Sequence, residues 1–216
     1  MKPVKKVFWA CLQNNMDEGY IKFRADWHRQ APLDNSTIIA LNHWRDRLYQ
    51  LGLLGAYPDG IGFGNISQRW NEQGQFVISG STTGNFAQLG PEHYTLVTAV
   101  ELDQNLLHCT GPIIASSESM SHAAVYLECP WVNAVFHVHH RAMWEQLLHE
   151  VPTTATGVTY GTPEMAYSIM QLLRDTDLPQ QRIFVMEGHP EGIFSFGATL
   201  DQAGEVLLKA LSTIKA

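Results

Sequence analysis

One segment, residues 131–139, constrains the fold more than any other part of this chain. It reads WVNAVFHVH, an apolar run that carries two histidines two positions apart. Side chains of a β-strand alternate between its two faces, so His137 and His139 project from the same side, about 6–7 Å apart along the backbone. Phe136 and Val138 then point the other way, into the core. The segment therefore predicts a buried strand that presents two imidazoles in parallel.

Two imidazoles held by one rigid element are half of a transition-metal site. Two histidines that only form hydrogen bonds in or beside the core fit the same pattern, so the pair alone leaves both interpretations open. His189 is a candidate third ligand, because it lies in a glycine-rich turn between two apolar segments. A solvated loop histidine is the alternative for that residue.

Length and charge limit the classes of protein to consider. With 216 residues, the chain fits one domain, and we expect an irregular N-terminal extension over residues 1–34 and a single domain over residues 35–216. A net charge of −7 argues against nucleic acid or an anionic membrane as the main partner. It leaves room for a small anionic substrate. No stretch approaches the roughly 18 apolar residues of a membrane span.

The cysteines and the N-terminus indicate the compartment. Cys11, Cys109 and Cys129 are an odd number with no CxxC spacing, which suggests neither a disulfide framework nor a thiolate zinc site. The apolar run near the N-terminus, about six residues long, is too short for a signal peptide. We therefore expect reduced thiols in a cytoplasmic protein.

The remaining patterns alternate between short strands and helices, which predicts a single α/β domain. Ser116 or Ser117 is expected to cap the helix before the histidine strand, and Thr162 and Thr199 to cap two later helices. The predicted helices cover residues 34–54, 116–129, 143–148, 162–173 and 199–211, and the predicted strands cover residues 60–67, 75–79, 95–100, 106–110, 131–139, 183–186 and 193–196.

Small polar loops and one glutamate precede the histidine strand. Backbone amides in glycine-rich turns and at helix N-termini are natural anion binders, although each loop alone fits an ordinary turn or cap. Glu118 lies in the predicted first turn of a helix, where a glutamate often only complements the helix dipole. Beside a metal it could also act as a ligand or a general base. The loops in question are Gly64-Asn65, residues 81–84 and Ser116-Ser117.

These motifs, in their order along the chain, resemble the class II aldolase/adducin family. The resemblance covers roughly residues 36–212 and implies a three-layer α/β/α fold with a central mixed or antiparallel sheet. It also implies a homotetramer with active sites between subunits. The motifs that carry it are GNIS at 64–67, ISGST at 78–82, SSE at 116–118, NAVFHVH at 133–139, YGTPE at 160–164 and the late histidine at 189.

The resemblance implies a role for each candidate residue. His137, His139 and His189 would bind Zn²⁺ or another divalent ion, and Glu118 would occupy a fourth position at rest and then move a proton. Some aldolases of the family take a proton-donor tyrosine from a neighbouring subunit; Tyr160 is the nearest candidate here by its context, with a packing tyrosine before a helix as the alternative. A sugar phosphate would be held by the polar loops, through Asn65, Ser81, Thr82, Ser116 and Ser117.

The implied function is a metal-dependent lyase of carbohydrate metabolism that cleaves a C–C bond in a phosphorylated sugar or a related hydroxy-carbonyl compound. Epimerisation, dehydration and decarboxylation on the same scaffold remain open, and so does a non-catalytic module like the adducin head. Metal hydrolases fit poorly, because Arg141 and Ala142 stand where their sites want an aspartate.

The chain departs from the family's usual pattern at three places. The loop at residues 81–84 is one residue longer than the commonest form, so Ser81, Thr82 and Thr83 are alternative phosphate contacts. Pro190 and Glu191 are inserted after His189, where the family commonly has His-Gly followed at once by an apolar strand, so Glu187 or Glu191 can lie near the metal. His140 and Arg141 replace a serine and a small residue, which predicts an altered pocket.

Overall fold

A mixed eight-stranded sheet forms the centre of the computed structural model, which describes residues 19–214. Its strands are β1 (Arg24–Arg29), β4 (Asn65–Arg69), β5 (Phe76–Ser79), β6 (Tyr94–Glu101), β7 (Leu106–Gly111), β8 (Ala134–His139), β9 (Ile183–Val185) and β10 (Gly192–Gly197). Two short strands, β2 (Gly55–Ala56) and β3 (Gly62–Phe63), pair separately as a hairpin.

The spatial order of the strands is β1-β7-β6-β5-β4-β8-β10-β9. Every neighbouring pair is antiparallel except β1 and β7, which run parallel. The histidine strand β8 therefore lies inside the sheet, between β4 and β10. All six of its residues are buried, as the apolar run predicts.

Helices cover both faces of the sheet. One face packs against α2 (Ser119–Glu128) and α4 (Pro163–Asp175), and the other against α1 (Asn35–Gln50) and α6 (Leu200–Ser212). Each interface has its own apolar core, which confirms the expected three-layer α/β/α architecture. Two short helices, α3 (Arg141–Leu147) and α5 (Leu178–Gln181), complete the fold.

The helix caps follow the sequence signals with one exception. The side chains of Thr162 and Thr199 accept backbone N–H bonds at the starts of α4 and α6, as predicted. The expectation that Ser116 or Ser117 caps α2 is wrong, because Glu118 occupies the N-cap position and the helix begins at Ser119. Residues 116–119 instead form a turn closed by the Ser119 N–H, which donates to the Ser116 carbonyl.

Part of the predicted N-terminal extension belongs to the sheet. Residues 24–29 form β1 beside β7, and Phe23 is buried in the core under α2 and α4. Residues 1–18, including Cys11, lie outside the described residues. Cys109 and Cys129 are buried and free. No helix in the described range 19–214 has the length and apolar character needed to cross a membrane.

Candidate metal centre

Strand alternation sets the direction of the two histidines on β8. Phe136 and Val138 pack into the core under α1 and α6, while Val135, on the other face, packs into the core under α2 and α4. His137 and His139 share the face of Val135 because strand side chains repeat every two residues. Both imidazoles are buried.

His189 completes a group of three imidazoles. The turn between β9 and β10 carries it to the strand pair, where its Nε2 lies 3.1 Å from Nε2 of His139. The Nε2 atoms of His137 and His139 are also 3.1 Å apart. Nitrogen ligands about 2.0–2.1 Å from a tetrahedral Zn²⁺ are separated by roughly 3.3 Å. Among residues 19–214 this is the one cluster of histidine, cysteine or carboxylate side chains that could hold a metal ion.

Burial keeps these imidazoles neutral. Desolvation lowers the pKa of His139 to about 3, and it lowers the pKa of His137 and His189 well below the usual range. Repulsion from the neighbouring rings adds to the shift at His137 and His189. Neutral imidazoles with facing nitrogens offer lone pairs rather than protons. The donor set therefore fits zinc or a similar divalent metal.

Two of the rings have partners that fix their orientation. Nδ1 of His137 faces the Ile193 carbonyl on β10 at 3.3 Å, and Nδ1 of His139 faces the Tyr57 hydroxyl at 2.9 Å. Phe194 stacks on His137 with ring centroids 4.4 Å apart, and Phe63 stacks on His139 at 5.4 Å. Contacts at Nδ1 leave Nε2 of each ring directed at the shared centre.

Glu118 is buried beside the polar loops. Its Oε2 accepts a hydrogen bond of 2.7 Å from the Ser121 hydroxyl, and its Oε1 has no hydrogen-bond partner among residues 19–214. Burial raises its pKa to about 7, against smaller opposing effects of the Ser121 hydroxyl and the Lys22 ammonium. The carboxylate is not part of the convergent imidazole group. Its role as a fourth ligand stays a prediction.

The predicted substrate loops meet in one cleft with Glu118. Glycines alternate with the polar residues along its walls, so backbone amides and hydroxyls line the space. Thr83, on the same loop as Ser81 and Thr82, is buried, and its hydroxyl donates to the Gly80 carbonyl. The lining residues include all five predicted ones, Asn65, Ser81, Thr82, Ser116 and Ser117.

His122, which sequence reasoning missed, fixes the Asn65 amide. Its Nε2 lies 2.6 Å from Oδ1 of Asn65, and its Nδ1 lies 2.7 Å from the Ser67 hydroxyl. Burial lowers the pKa of His122 to about 3, so the ring is neutral and donates from a single nitrogen. Donation to Oδ1 leaves the Asn65 amino group available to the cleft as an anion donor. In the sequence His122 is one of several polar residues of α2, beside Ser119 and Ser121, and no pattern singles it out.

Tyr160 lies against His189 of the imidazole group. Its ring centroid is 4.4 Å from that of His189, and the Lys22 ammonium lies 3.6 Å from the Tyr160 ring centroid. The neighbouring Gly161 packs close to the Ser116-Ser117 loop, since a Cβ at Gly161 would lie 2.7 Å from the Ser117 carbonyl oxygen. Tyr160 is thus held between the imidazoles and the polar cleft.

Lys22 is a second residue that the sequence did not reveal. Its charge favours the ionised form of Glu118 and disfavours protonation of His189, so one ammonium acts on both parts of the site. The residue lies just before β1, in the segment interpreted as an extension. Its place in the site follows from the pairing of β1 with β7, which no local pattern encodes.

The departures after His189 and at His140 and Arg141 have different outcomes. Glu191 accepts a hydrogen bond from Tyr57, whose hydroxyl also contacts His139, so Glu191 is linked to the imidazole group. Glu187 instead accepts a hydrogen bond from Thr156, which is not part of that group. His140 caps α3 through its Nδ1, which accepts from the Met143 N–H. Arg141 pairs with Glu145 on the surface.

Comparisons with known proteins agree with this geometry. The sequence profile of the Class II Aldolase and Adducin N-terminal domain matches residues 58–210. The crystal structure of L-fuculose-1-phosphate aldolase from Thermus thermophilus superimposes with a TM-score of 0.54 at 27% identity, over 81% of this chain and 85% of that one. Comparison with curated proteins found no significant match.

Two further structures share the fold at lower identity. A sugar-phosphate aldolase from Thermotoga maritima gives a TM-score of 0.56 at 17% identity, over 84% of this chain and 97% of that one. YgbL from Escherichia coli, a candidate aldolase/epimerase/decarboxylase, gives a TM-score of 0.62 at 18% identity, over 83% of this chain and 87% of that one. The profile match spans most of the chain, and the chain therefore belongs to the class II aldolase and adducin N-terminal domain family.

Proposed function

We propose that this protein is a divalent-metal-dependent lyase that cleaves a C–C bond in a sugar phosphate or a related hydroxy-carbonyl compound. The observation that carries the proposal is the convergence of three neutral imidazole nitrogens, from His137, His139 and His189. A binding module without catalysis would have no need of this donor set. Zn²⁺ is the metal that three imidazoles suit best, with another divalent transition metal as the alternative.

The substrate's phosphate is assigned to the polar cleft. Asn65, Ser81, Thr82, Ser116 and Ser117 line it together with several glycines, so hydroxyls, an amide and backbone N–H groups can surround an anion. The net charge of −7 does not oppose this assignment, because the local donors and the nearby Lys22 ammonium set the field at the site. The L-fuculose-1-phosphate aldolase of Thermus thermophilus suggests a ketose 1-phosphate as the first compound to test.

Glu118 would move the proton that bond cleavage requires. When bound, a divalent ion supplies Lewis-acid stabilisation of the negative charge that develops on the substrate's carbonyl oxygen. Cleavage also needs a base for the substrate hydroxyl. A carboxyl with a pKa of about 7 is half-ionised near neutral pH, so it can both take and return a proton there. Its Oε1, which has no hydrogen-bond partner within residues 19–214, is the atom assigned to this transfer.

Tyr160 is the proposed donor of the proton that the enediolate carbon takes up after cleavage, and Glu118, which then holds the hydroxyl proton, would restore the Tyr160 phenol by exchange through solvent. Its ring contacts His189, which places the phenol at the margin of the metal centre. We expect Tyr160→Phe to keep the bound metal and the fold, and to lower turnover by about 10²-fold or more. Turnover equal to wild type would assign Tyr160 to packing alone.

The test is a cleavage assay on a panel of ketose 1-phosphates, starting with L-fuculose 1-phosphate. Retro-aldol cleavage between C3 and C4 releases dihydroxyacetone phosphate, which an NADH-coupled reduction detects. We expect Glu118→Gln to retain metal and lose about 10²–10⁴-fold in turnover. Glu145→Gln, on the surface pair with Arg141, is the matched control.

Two results would contradict the proposal. A Glu118→Gln variant that turns over like wild type would exclude the proton-transfer role. A metal-loaded enzyme that converts the panel without releasing a triose phosphate would instead indicate epimerisation, dehydration or decarboxylation. The homotetramer and the cytoplasmic location stay predictions, to be checked by sedimentation and by cell fractionation.

A further inference from the structure

We propose that Tyr57 and Glu191 form a hydrogen-bonded pair that positions His139 for metal binding. The inference rests on the proposed metal site, and it assigns a role to two residues outside the three imidazoles. Neither residue would contact the ion. Both would act through the His139 ring, so they are positioning residues.

The direction of the two hydrogen bonds determines the His139 tautomer. The Tyr57 hydroxyl donates to Oε2 of Glu191 at 2.8 Å, and the same hydroxyl oxygen lies 2.9 Å from Nδ1 of His139. A hydroxyl carries one proton, and here Glu191 accepts it. The Tyr57 oxygen must therefore accept from His139, so Nδ1 carries the hydrogen. Nε2 is then unprotonated, and its lone pair points at Nε2 of His137 and His189.

The Nδ1 atoms of the two histidines on β8 face different kinds of partner. His137 lies within the paired part of β8, where the Ile193 carbonyl of β10 faces its Nδ1. His139 is the last residue of β8, where it pairs with Gly192 of β10, and its Nδ1 faces a side chain instead. Its partner comes from the turn between β2 and β3, where Tyr57 is fixed by a backbone bond of 2.8 Å to Ile61. Phe63 of β3 stacks on His139 and packs against Tyr57 with its ring tilted.

The backbone at Glu191 supports a specific role for its side chain. Glu191 has a φ of +73°, in the left-handed region that glycine adopts most easily. Its carbonyl accepts from the His140 N–H at 3.1 Å, which ties the turn to the end of β8. A strained conformation kept by a glutamate suggests that the carboxylate is needed. Pro190 and Glu191 are also the two residues inserted relative to the family's usual turn.

Outer partners of metal-bound histidines typically change metal affinity 10–100-fold when they are removed. We therefore expect Tyr57→Phe to weaken Zn²⁺ binding about 10–100-fold, measured on the metal-stripped protein by competition with a chelator. Combining Tyr57→Phe with Glu191→Gln should weaken binding no further, because Glu191 acts through Tyr57. Tyr167→Phe is the matched control, since its hydroxyl also donates to a carboxylate, that of Asp103, outside the imidazole group.

Glu191→Gly separates positioning from structure. Glycine relieves the backbone at a φ of +73°, so the metal-free variant should unfold at or above the wild-type temperature while its Zn²⁺ affinity falls about 10–100-fold. A changed visible absorption spectrum of the Co²⁺-loaded Tyr57→Phe protein is expected as well, because the d–d bands report ligand geometry. A purely structural role would lower the unfolding temperature and leave affinity and spectrum unchanged.

The outcomes distinguish this inference from the proposed function. If the wild-type protein binds Zn²⁺ and the Zn²⁺ affinity of Tyr57→Phe lies within about twofold of the wild-type value, the role of the pair is overturned. The proposed metal site is unaffected by that result. An additive loss in the double variant also overturns the role of Glu191 through Tyr57. Wild-type protein that binds neither Zn²⁺ nor Co²⁺ overturns both proposals.

Discussion

At the scale of single residues, burial sets the charge of the titratable groups in the site. It lowers the pKa of the imidazoles and raises the pKa of Glu118, so these groups all tend toward their neutral forms. Neutral imidazoles are the form that binds a metal, and a glutamate near its pKa is the form that exchanges a proton. One physical cause therefore prepares both halves of the proposed chemistry.

Glu118 should make the metal-free protein less stable as pH rises from about 4.5 to about 7. The folded state holds the Glu118 proton more tightly than the unfolded chain, so stabilisation present at low pH is lost across that window. Across this pH range, the free energy of unfolding of the wild-type protein should fall by about 3 kcal/mol relative to that of Glu118→Gln. Urea unfolding of both proteins at several pH values measures the difference.

The comparison with Glu118→Gln is needed because the histidines act in the opposite direction. His122 and the three clustered imidazoles have folded pKa values below 6.5, so their contribution to stability is lost as pH falls below that value. These residues are common to both proteins and cancel in the difference. If the free energies of unfolding of the wild type and of Glu118→Gln changed with pH in the same way, a raised pKa at Glu118 would be contradicted.

Gly192 should be essential to the imidazole cluster for steric reasons. A Cβ at this position would lie 2.6 Å from Cδ2 of His189 and 3.2 Å from Cε1 of His137. We expect Gly192→Ala to push the rings apart and to lower Zn²⁺ affinity about tenfold or more. Chelator competition measures the affinity, and unchanged binding would show that the rings can move without cost.

At the scale of secondary-structure elements, packing should override helix propensity at Gly204 in α6. Alanine is favoured over glycine in a helix by about 1 kcal/mol, which alone predicts a more stable protein. A Cβ at Gly204 would, however, lie 2.1 Å from the Trp44 ring on α1. We expect Gly204→Ala to destabilise the protein by about 1–3 kcal/mol in urea unfolding. A stabilised variant would contradict the close α1–α6 packing.

The sequence predicted those elements whose signals are local. The alternation on β8 located His137 and His139, and Thr162 and Thr199 marked two helix starts, because strand periodicity and caps depend on neighbouring residues. The order of short motifs predicted that the polar loops would lie together and that His189 would join the histidine pair. The helix start at Ser119 differed by a few residues, as boundaries commonly do.

The sequence did not predict residues that join the site through long-range contacts. Tyr57 reaches His139 and Glu191 across 82 and 134 positions of the chain. Lys22 arrives through the parallel pairing of β1 with β7, and β1 resembles an irregular extension because its outward residues are polar. Local periodicity carries no information on such contacts. Their positions follow only from the order and register of the strands.

At the scale of the whole molecule, metal binding should couple to folding. A ligand that binds only the folded state stabilises it, by about 2.7 kcal/mol at a concentration 100 times its dissociation constant. We therefore expect Zn²⁺ to raise the unfolding temperature of the wild-type protein and a chelator to reverse the shift. His139→Ala should show neither effect, and a Zn²⁺ shift of the same size in that variant would place the ion elsewhere.

The central claim is that His137, His139 and His189 form a metal centre. Elemental analysis of the tag-free protein, beside a His137→Ala/His139→Ala double variant, tests it most directly. We predict about one equivalent of zinc, or of another divalent transition metal, per wild-type chain and none in the double variant. Absence of metal from the wild-type protein, even after reconstitution, or retention of metal in the double variant, would contradict the claim.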